Sequence, residues 1–433
     1  MKRPFLIELR HSGFRYWAPI FALAGATIGW LNSFPRIAAW VSIESSMLDV
    51  AYFLTPFLAG AGAWEGLRDE RRRVEYARRT SAIPAPLSVL PRYLGGIAWV
   101  VAAWICIALV LVLRSMLIGL YGVPEPILLL HSLALVLSFT TIGFALAETI
   151  QHWSAIPVAT VLPLALYGAT LAGRAGDVAT WINIFRKYVA IDASLPNAMF
   201  FGGAALVSVG AAVVFAAASF IRRRAYRSPA ILTMIVAGAV IVSGLGVMIG
   251  QQGRTSREPA PAELAFITLN DADTGLTIRV REHYAPVADE LTDTWSRIAD
   301  LFSESDLAFD KLEQQLDSDH QGAPQGFARL YLNPQSTEIA RFSVEGALVD
   351  VMNCTQAGQD GPAGDFGLGG VVVMQAWLTG DTALGVGAWS NDPRVVDALD
   401  RLYSLDNASA RAWVQAHTAN IRSCEWDASD FQP

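Results

Sequence analysis

Seven apolar stretches, nearly free of charge, alternate with polar segments over the first 250 residues, and a polar, acidic chain follows them. The stretches begin near Tyr16, Leu48, Tyr93, Ile127, Ser154, Asn197 and Ala230. Most run to about 20 residues, the length that crosses ~30 Å of hydrocarbon at ~1.5 Å per residue. Tyr93–Leu113, Asn197–Ile221 and Ala230–Gly250 hold no Asp, Glu, Lys or Arg, as expected where one charge at mid-bilayer costs roughly 2.5–3.5 kcal/mol. The first stretch is short and the second carries Asp49. The pattern predicts a multi-span α-helical membrane protein of about seven transmembrane helices, followed by a soluble, helix-rich α/β exterior domain. Its divisions are an interfacial helix at 1–15, a transmembrane domain at 16–250, a linker at 251–263 and the soluble domain at 264–433.

Periodicity within the soluble part predicts individual elements. Leu264–Leu269 and Leu276–Arg281 alternate apolar and polar residues around an Asn270–Gly275 turn, the signature of a β-hairpin. Pro286–Ser303 places Val287, Leu291, Trp295, Ile298 and Phe302 at helical spacing. Phe327–Leu332 reads as a third strand, and Thr337–Met352 as a helix with Ile339, Phe342, Leu348 and Val351 inward. Gln356–Gly370 reads as a Gly-rich loop, and Val371–Leu378, Pro393–Tyr403 and Ser409–Ile421 complete the domain. The linker, QQGRTSREPAPAE, is hydrophilic and stiffened by Pro259 and Pro261.

Charge gives the spans a direction. Residues 1–250 hold 20 Lys and Arg against 11 Asp and Glu, while residues 251–433 hold 12 against 28. With the N-terminus inside, segments 1–15, 66–92, 149–153 and 222–229 face the cytoplasm and carry 15 basic residues, against five in the opposite loops. That bias follows the positive-inside rule and predicts a cell-membrane protein whose acidic C-terminal domain lies outside the cytoplasm. An acidic surface repels phosphate, which argues against a nucleic-acid partner. No small-residue cleavage site follows the first apolar run, so that run is read as an anchor. Cys106 falls in the third span and reads as a small buried hydrophobe. Cys354 and Cys424 fall in the exterior domain, where an oxidising compartment permits a disulfide; two free thiols in a core are the alternative.

Candidate chemistry is concentrated at one loop. The opening MKRPFLIELRHSGFRY mixes apolar and basic residues as a helix lying at a lipid surface would, or as a plain positive flank would. In residues 65–92, Glu65–Arg79 alternates acids and bases as a helix extending from the membrane. Thr80 and Ser81 interrupt it, and Pro84 and Pro86 prevent its continuation. A second short helix at Leu87–Tyr93 leads back to the bilayer. This elbow reads as a docking element for a cytoplasmic partner, or as a solvated loop that only sets topology.

An interfacial helix, two spans and then such a loop resembles the permease subunit of an ABC-2 type exporter. The resemblance rests on Asp69-Glu70-Arg71-Arg72 followed by Thr80-Ser81-Ala82-Ile83-Pro84, and covers roughly residues 1–225. Arg73 stands where many members carry Gly. The resemblance implies a coupling helix seated in a separate ATPase subunit, with Glu70, Arg71, Arg72, Arg73, Thr80, Ser81, Ile83 and Pro84 as the coupling residues. It also implies short re-entrant helices at Arg174–Asn197, a second permease as partner, and ATP and Mg held by the ATPase. A seventh span and an exterior domain are additions to the usual six-span unit. The C-terminal portion is similar to the metalloprotease-like exterior domains of some such exporters, without the zinc ligands.

GxxxxGK[ST], HExxH and GxSxG are absent, so the chain is not expected to be an enzyme, and no cofactor or metal is expected within it. The intramembrane polar residues are Asp49, His131, Thr140 and Thr141. Asp49 is placed near an outer membrane edge, within reach of water. His131, one turn into the fourth span, is read as bonded to a neighbouring helix or as part of a transport path. The alternative function is a membrane-anchored sensor or assembly protein whose exterior domain binds a ligand or partner.

Overall fold

The computed structural model describes residues 2–34, 36–68, 85–122, 124–172, 181–186, 195–221, 226–257, 265–314, 327–330, 332, 336, 338–341, 343–344, 366–380, 392–423 and 425–431. Two units divide the chain: Met1–Ser33 with Ala38–Glu258, and Phe34–Ile37 with Pro259–Pro433.

The first unit is a helical bundle. Its elements are α1 (Lys2–His11), α2 (Phe14–Asn32), β1 (Ala38–Ala39), α3 (Trp40–Gly66), α4 (Ala85–Ile118), β2 (Leu120–Tyr121), α5 (Pro126–Ile150), α6 (Ala155–Ala172), β3 (Leu195–Pro196), α7 (Ala198–Ile221), α8 (Arg227–Gly250) and β4 (Ser256–Arg257). Five stretches are helical, long enough and apolar enough to cross a membrane: α3, Val89–Ile118 of α4, α5, α7 and α8. The protein is therefore a multi-span membrane protein by the length and composition of its helices. α2 packs on α3 and α4, and α6 packs on α3 and α5. At 19 and 18 residues they reach roughly 28 Å and 27 Å.

Two short ladders clasp one end of the bundle: Ala38–Ala39 beside Leu120–Tyr121 in parallel, and Leu195–Pro196 beside Ser256–Arg257 in antiparallel. Packing is densest between α3 and α5 and between α7 and α8. Lipid tails are as apolar as leucine, so close backbone approach rather than expulsion of water must hold these pairs. Gly203 and Gly244 provide it for α7 and α8, since a Cβ on either would sit under 3 Å from the other's carbonyl oxygen.

Several boundaries differ from the sequence reading. The second span begins at Trp40, not near Leu48, and so takes in Glu44 as well as Asp49. Ser42, Glu44, Ser45 and Ser46 dilute the apolar signal there, yet α3 is the most buried of the five helices, with Ser42, Glu44 and Ser46 packed inside the protein. The separate helix at Leu87–Tyr93 does not exist, because α4 runs unbroken from Ala85 through Pro91. Cys106 is not buried; it sits on the outward face of α4 as a free thiol. The first part of the linker is built into the bundle: Asn197 Nδ2 donates to Gln251 Oε1 at 2.9 Å and to the Arg254 carbonyl at 3.0 Å. Asn197 Oδ1 meanwhile accepts from the amides of Met199 and Phe200, capping α7.

The second unit is mixed α/β. β5 (Phe266–Asn270), β6 (Thr277–Arg281), β7 (Lys311–Gln314) and β8 (Phe327–Leu330) form one sheet in that order. The predicted hairpin is β5 and β6, antiparallel with Phe266 opposite Arg281, and Gly275 takes the left-handed φ of 74° that closes its turn. A 3₁₀ turn (Glu282–Val287) and α9 (Ala288–Phe302) cross over to β7, which lies parallel to β6. Leu291, Trp295, Ile298 and Phe302 are buried as their spacing predicted. β7 was missed because KLEQ offers only Leu312 as an apolar residue. Of the Thr337–Met352 helix, Ile339 and Val344 are buried and helical, while Phe342, Leu348 and Val351 lie outside the described residues.

The remaining helices are α10 (Gly367–Thr379), α11 (Pro393–Ser404), α12 (Asn407–Ala416) and α13 (Thr418–Ser423). Gly367–Gly370, read as loop, is the first turn of α10. A Cβ at Gly370 would overlap the Trp426 ring, so glycine is there to admit the indole rather than to loosen the chain. Asp392 caps α11 by accepting from the Arg394 amide at 2.9 Å, and Asp406 caps α12 by accepting from the Ser409 amide at 2.8 Å.

Candidate functional site

The predicted coupling residues Glu70, Arg71, Arg72, Arg73, Thr80, Ser81, Ile83 and Pro84 lie outside the described residues, as do Cys354 and Cys424. The described residues instead show what holds the two roots of that loop. α3 ends in a buried acid, Glu65, and one turn on Arg68 donates from Nη1 to Glu65 Oε1 at 3.0 Å. Arg68 Nη2 donates to Glu8 Oε2 of α1 at 2.6 Å. The second Glu65 oxygen accepts from the Gly13 amide at 3.0 Å. Both oxygens of a buried carboxylate are thus bonded, which is what allows it to stay there. α1 is attached again on α4, where Trp99 Nε1 donates to the Leu9 carbonyl at 2.9 Å.

The other root is fixed by an ion pair. Arg92, two turns into α4, meets Glu148 near the end of α5, and their side chains are only 3% and 8% exposed. The Arg92 guanidinium also stands 4.9 Å from the centre of the Phe144 ring. Neither Glu65 nor Glu148 was singled out in the sequence. Both sit at the ends of apolar runs, where an acid reads as an ordinary flank; only the packing of neighbouring helix ends makes them interior.

At the opposite end, Glu44 is fully buried in the second turn of α3 and accepts from the Glu125 amide at 2.6 Å. Its signal is masked in the sequence because Ser42, Ser45 and Ser46 around it give the start of α3 a polar look. The described part of the predicted re-entrant region, Trp181–Arg186, lodges against the bundle. The buried Phe185 ring lies 5.5 Å from Tyr52 and 5.4 Å from Phe139. Tyr52 donates its hydroxyl to the Arg186 carbonyl at 2.8 Å, and the buried His131 Nε2 lies 3.1 Å from the Ile184 carbonyl. His131 therefore holds this segment, rather than a neighbouring helix as one reading had it. Asp49 is half-buried within α3.

Between α4, α5 and α7 lies a cavity of ≈ 440 Å³. Among the described residues no charged side chain lines it, and the polar groups there are Tyr93, Ser138, Thr141 and Ser219. Among the described residues no group of three or more His, Cys, Asp or Glu comes together as a metal site. No protein-family model, curated protein or solved structure matches the chain.

Proposed function

We propose that this protein is the transmembrane permease subunit of an ATP-driven ABC-2 type exporter in the cell membrane, coupled to a separate ATPase subunit through residues 70–84. In this reading α2 and α6 join the five longer helices to make seven crossings, the N-terminus is cytoplasmic, and the acidic domain is extracytoplasmic. A second permease, identical or different, completes the transporter, and ATP and Mg are held by the ATPase.

The observation that carries the reading is the bonded corner at the base of the arginine-rich loop. Glu8, Gly13, Glu65 and Arg68 tie α1, the start of α2 and the end of α3 together, and Arg92 with Glu148 ties α4 to α5. A loop that must pass a push from a soluble partner into spans needs roots that do not yield, and a loop that only sets topology does not.

The test is co-purification from native membranes. An ATPase bearing a Walker A sequence should accompany the wild-type chain and be lost when Arg71–Arg73 and Ile83 are replaced by Glu. A complex that survives those changes would refute the docking assignment. Protease added to spheroplasts should cut the acidic domain; cleavage confined to residues 71–79 would reverse the orientation and end the exporter reading.

A further inference from the structure

The cavity between α4, α5 and α7 opens on the outward face of the bundle. Leu90, Val209 and Val213 on its rim are 39%, 45% and 36% exposed, and each lies on a helix apolar and long enough to span a membrane. Its size falls within the ~300–1,000 Å³ of small-molecule sites.

What it can bind follows from its hydroxyls. Thr141 donates to the Leu137 carbonyl at 2.7 Å, so in its 2.7 Å contact with Tyr93 it is the acceptor and Tyr93 the donor. Ser219 donates to the Ala216 carbonyl at 2.7 Å. Three of the four lining hydroxyl protons are thus committed inside the protein, Ser138 being the fourth, and none of the described lining groups carries a charge. Among the described lining groups a phosphate or carboxylate would find no cation and only the Ser138 hydroxyl as a donor, and would lose most of its hydration on entry. A hydrocarbon chain loses nothing there and gains dispersion contact along Leu137, Val209 and Val213.

We infer that this cavity is a binding site for one acyl chain of a membrane phospholipid, drawn sideways from the bilayer, with the lipid's polar head left outside it. The inference needs only the bundle's place in a membrane and not the export reading, so the two fail separately.

The test reconstitutes the full chain in phosphatidylcholine nanodiscs doped with a diazirine-tailed phosphatidylcholine, without nucleotide or ATPase. After irradiation, adducts should concentrate on Leu137, Val209 and Val213, and labelled lipid should stay bound through a detergent wash. Val213→Trp, which fills the rim, should lower retained lipid about fivefold or more, and Val209→Phe should act in the same direction. Val242→Trp, on the 69% exposed outer face of α8, should leave retention unchanged. Tyr93→Phe should also leave it unchanged, because the chain needs no hydrogen bond. Adducts spread evenly over Val242 and Leu113, or retention that survives both filling variants, would overturn the proposal. Loss on Tyr93→Phe would overturn it too, by showing that a polar group is the one recognised.

Discussion

Gly143 of α5 lies directly against Ala59 of α3, so close that a Cβ at Gly143 would overlap the Ala59 carbonyl oxygen. The arrangement is reciprocal one turn away, where a Cβ at Gly62 would overlap the Thr140 carbonyl. The obstacle in both cases is backbone, which cannot swing aside as a side-chain tip can. Gly143→Ala should therefore destabilise the bundle by about 1–3 kcal/mol, and Gly143→Leu should prevent its assembly. Thermal unfolding of the detergent-solubilised protein, with monodispersity on gel filtration, measures both. An unchanged melting temperature for Gly143→Leu would mean that α3 and α5 are not packed this way.

The Arg92–Glu148 pair is shielded from water, so removing one partner leaves the other buried alone. Arg92→Ala or Glu148→Ala should each cost about 3–5 kcal/mol, whereas Arg92→Met with Glu148→Leu should come close to neutral. The double variant matching the sum of the two singles would contradict the pairing.

Arg68 is the link between α1 and the end of α3. Arg68→Ala should loosen α1, and trypsin should then cut after the exposed Arg10 about tenfold faster. Glu8→Gln should act in the same direction, more weakly. An unchanged cleavage rate in Arg68→Ala would show that Trp99 alone holds the helix.

The hairpin turn of the second unit carries its own pH signature. A hydrogen bond from the Thr274 hydroxyl to Asp271, joined by the Asp273 amide, holds this carboxyl at about 2, below its ordinary 3.8. A depressed folded-state value means stability that is present above about pH 4 and lost as the pH falls through about 2. The difference in melting temperature between the wild type and Asp271→Asn should thus be constant above pH 4 and vanish near pH 2, followed by tryptophan fluorescence. A difference that instead disappeared near neutral pH would assign it to another group.

Much of the architecture was legible. Ile127, Asn197 and Ala230 mark spans that begin within a turn of the observed helices, because a long uncharged run has one low-energy state in a bilayer. Leu291, Trp295, Ile298 and Phe302 mark the inward stripe of α9, because a helix repeats its face every 3.6 residues. The candidate site was legible only as a stretch of chain, the charged loop between Arg68 and Ala85, whose coupling residues lie outside the described ones.

What the chain order alone determined is where apolar runs, turns and charges fall, since transfer from water to lipid and backbone periodicity act on neighbours along the sequence. Only the tertiary structure decided which polar residues are interior. Glu44, Glu65 and Glu148 look like flanking acids until α3, α5 and the segments around them close over them. Gly370 looks like a loop glycine until Trp426 stands against it. Burial is set by residues distant in sequence, and a hydropathy window contains none of them.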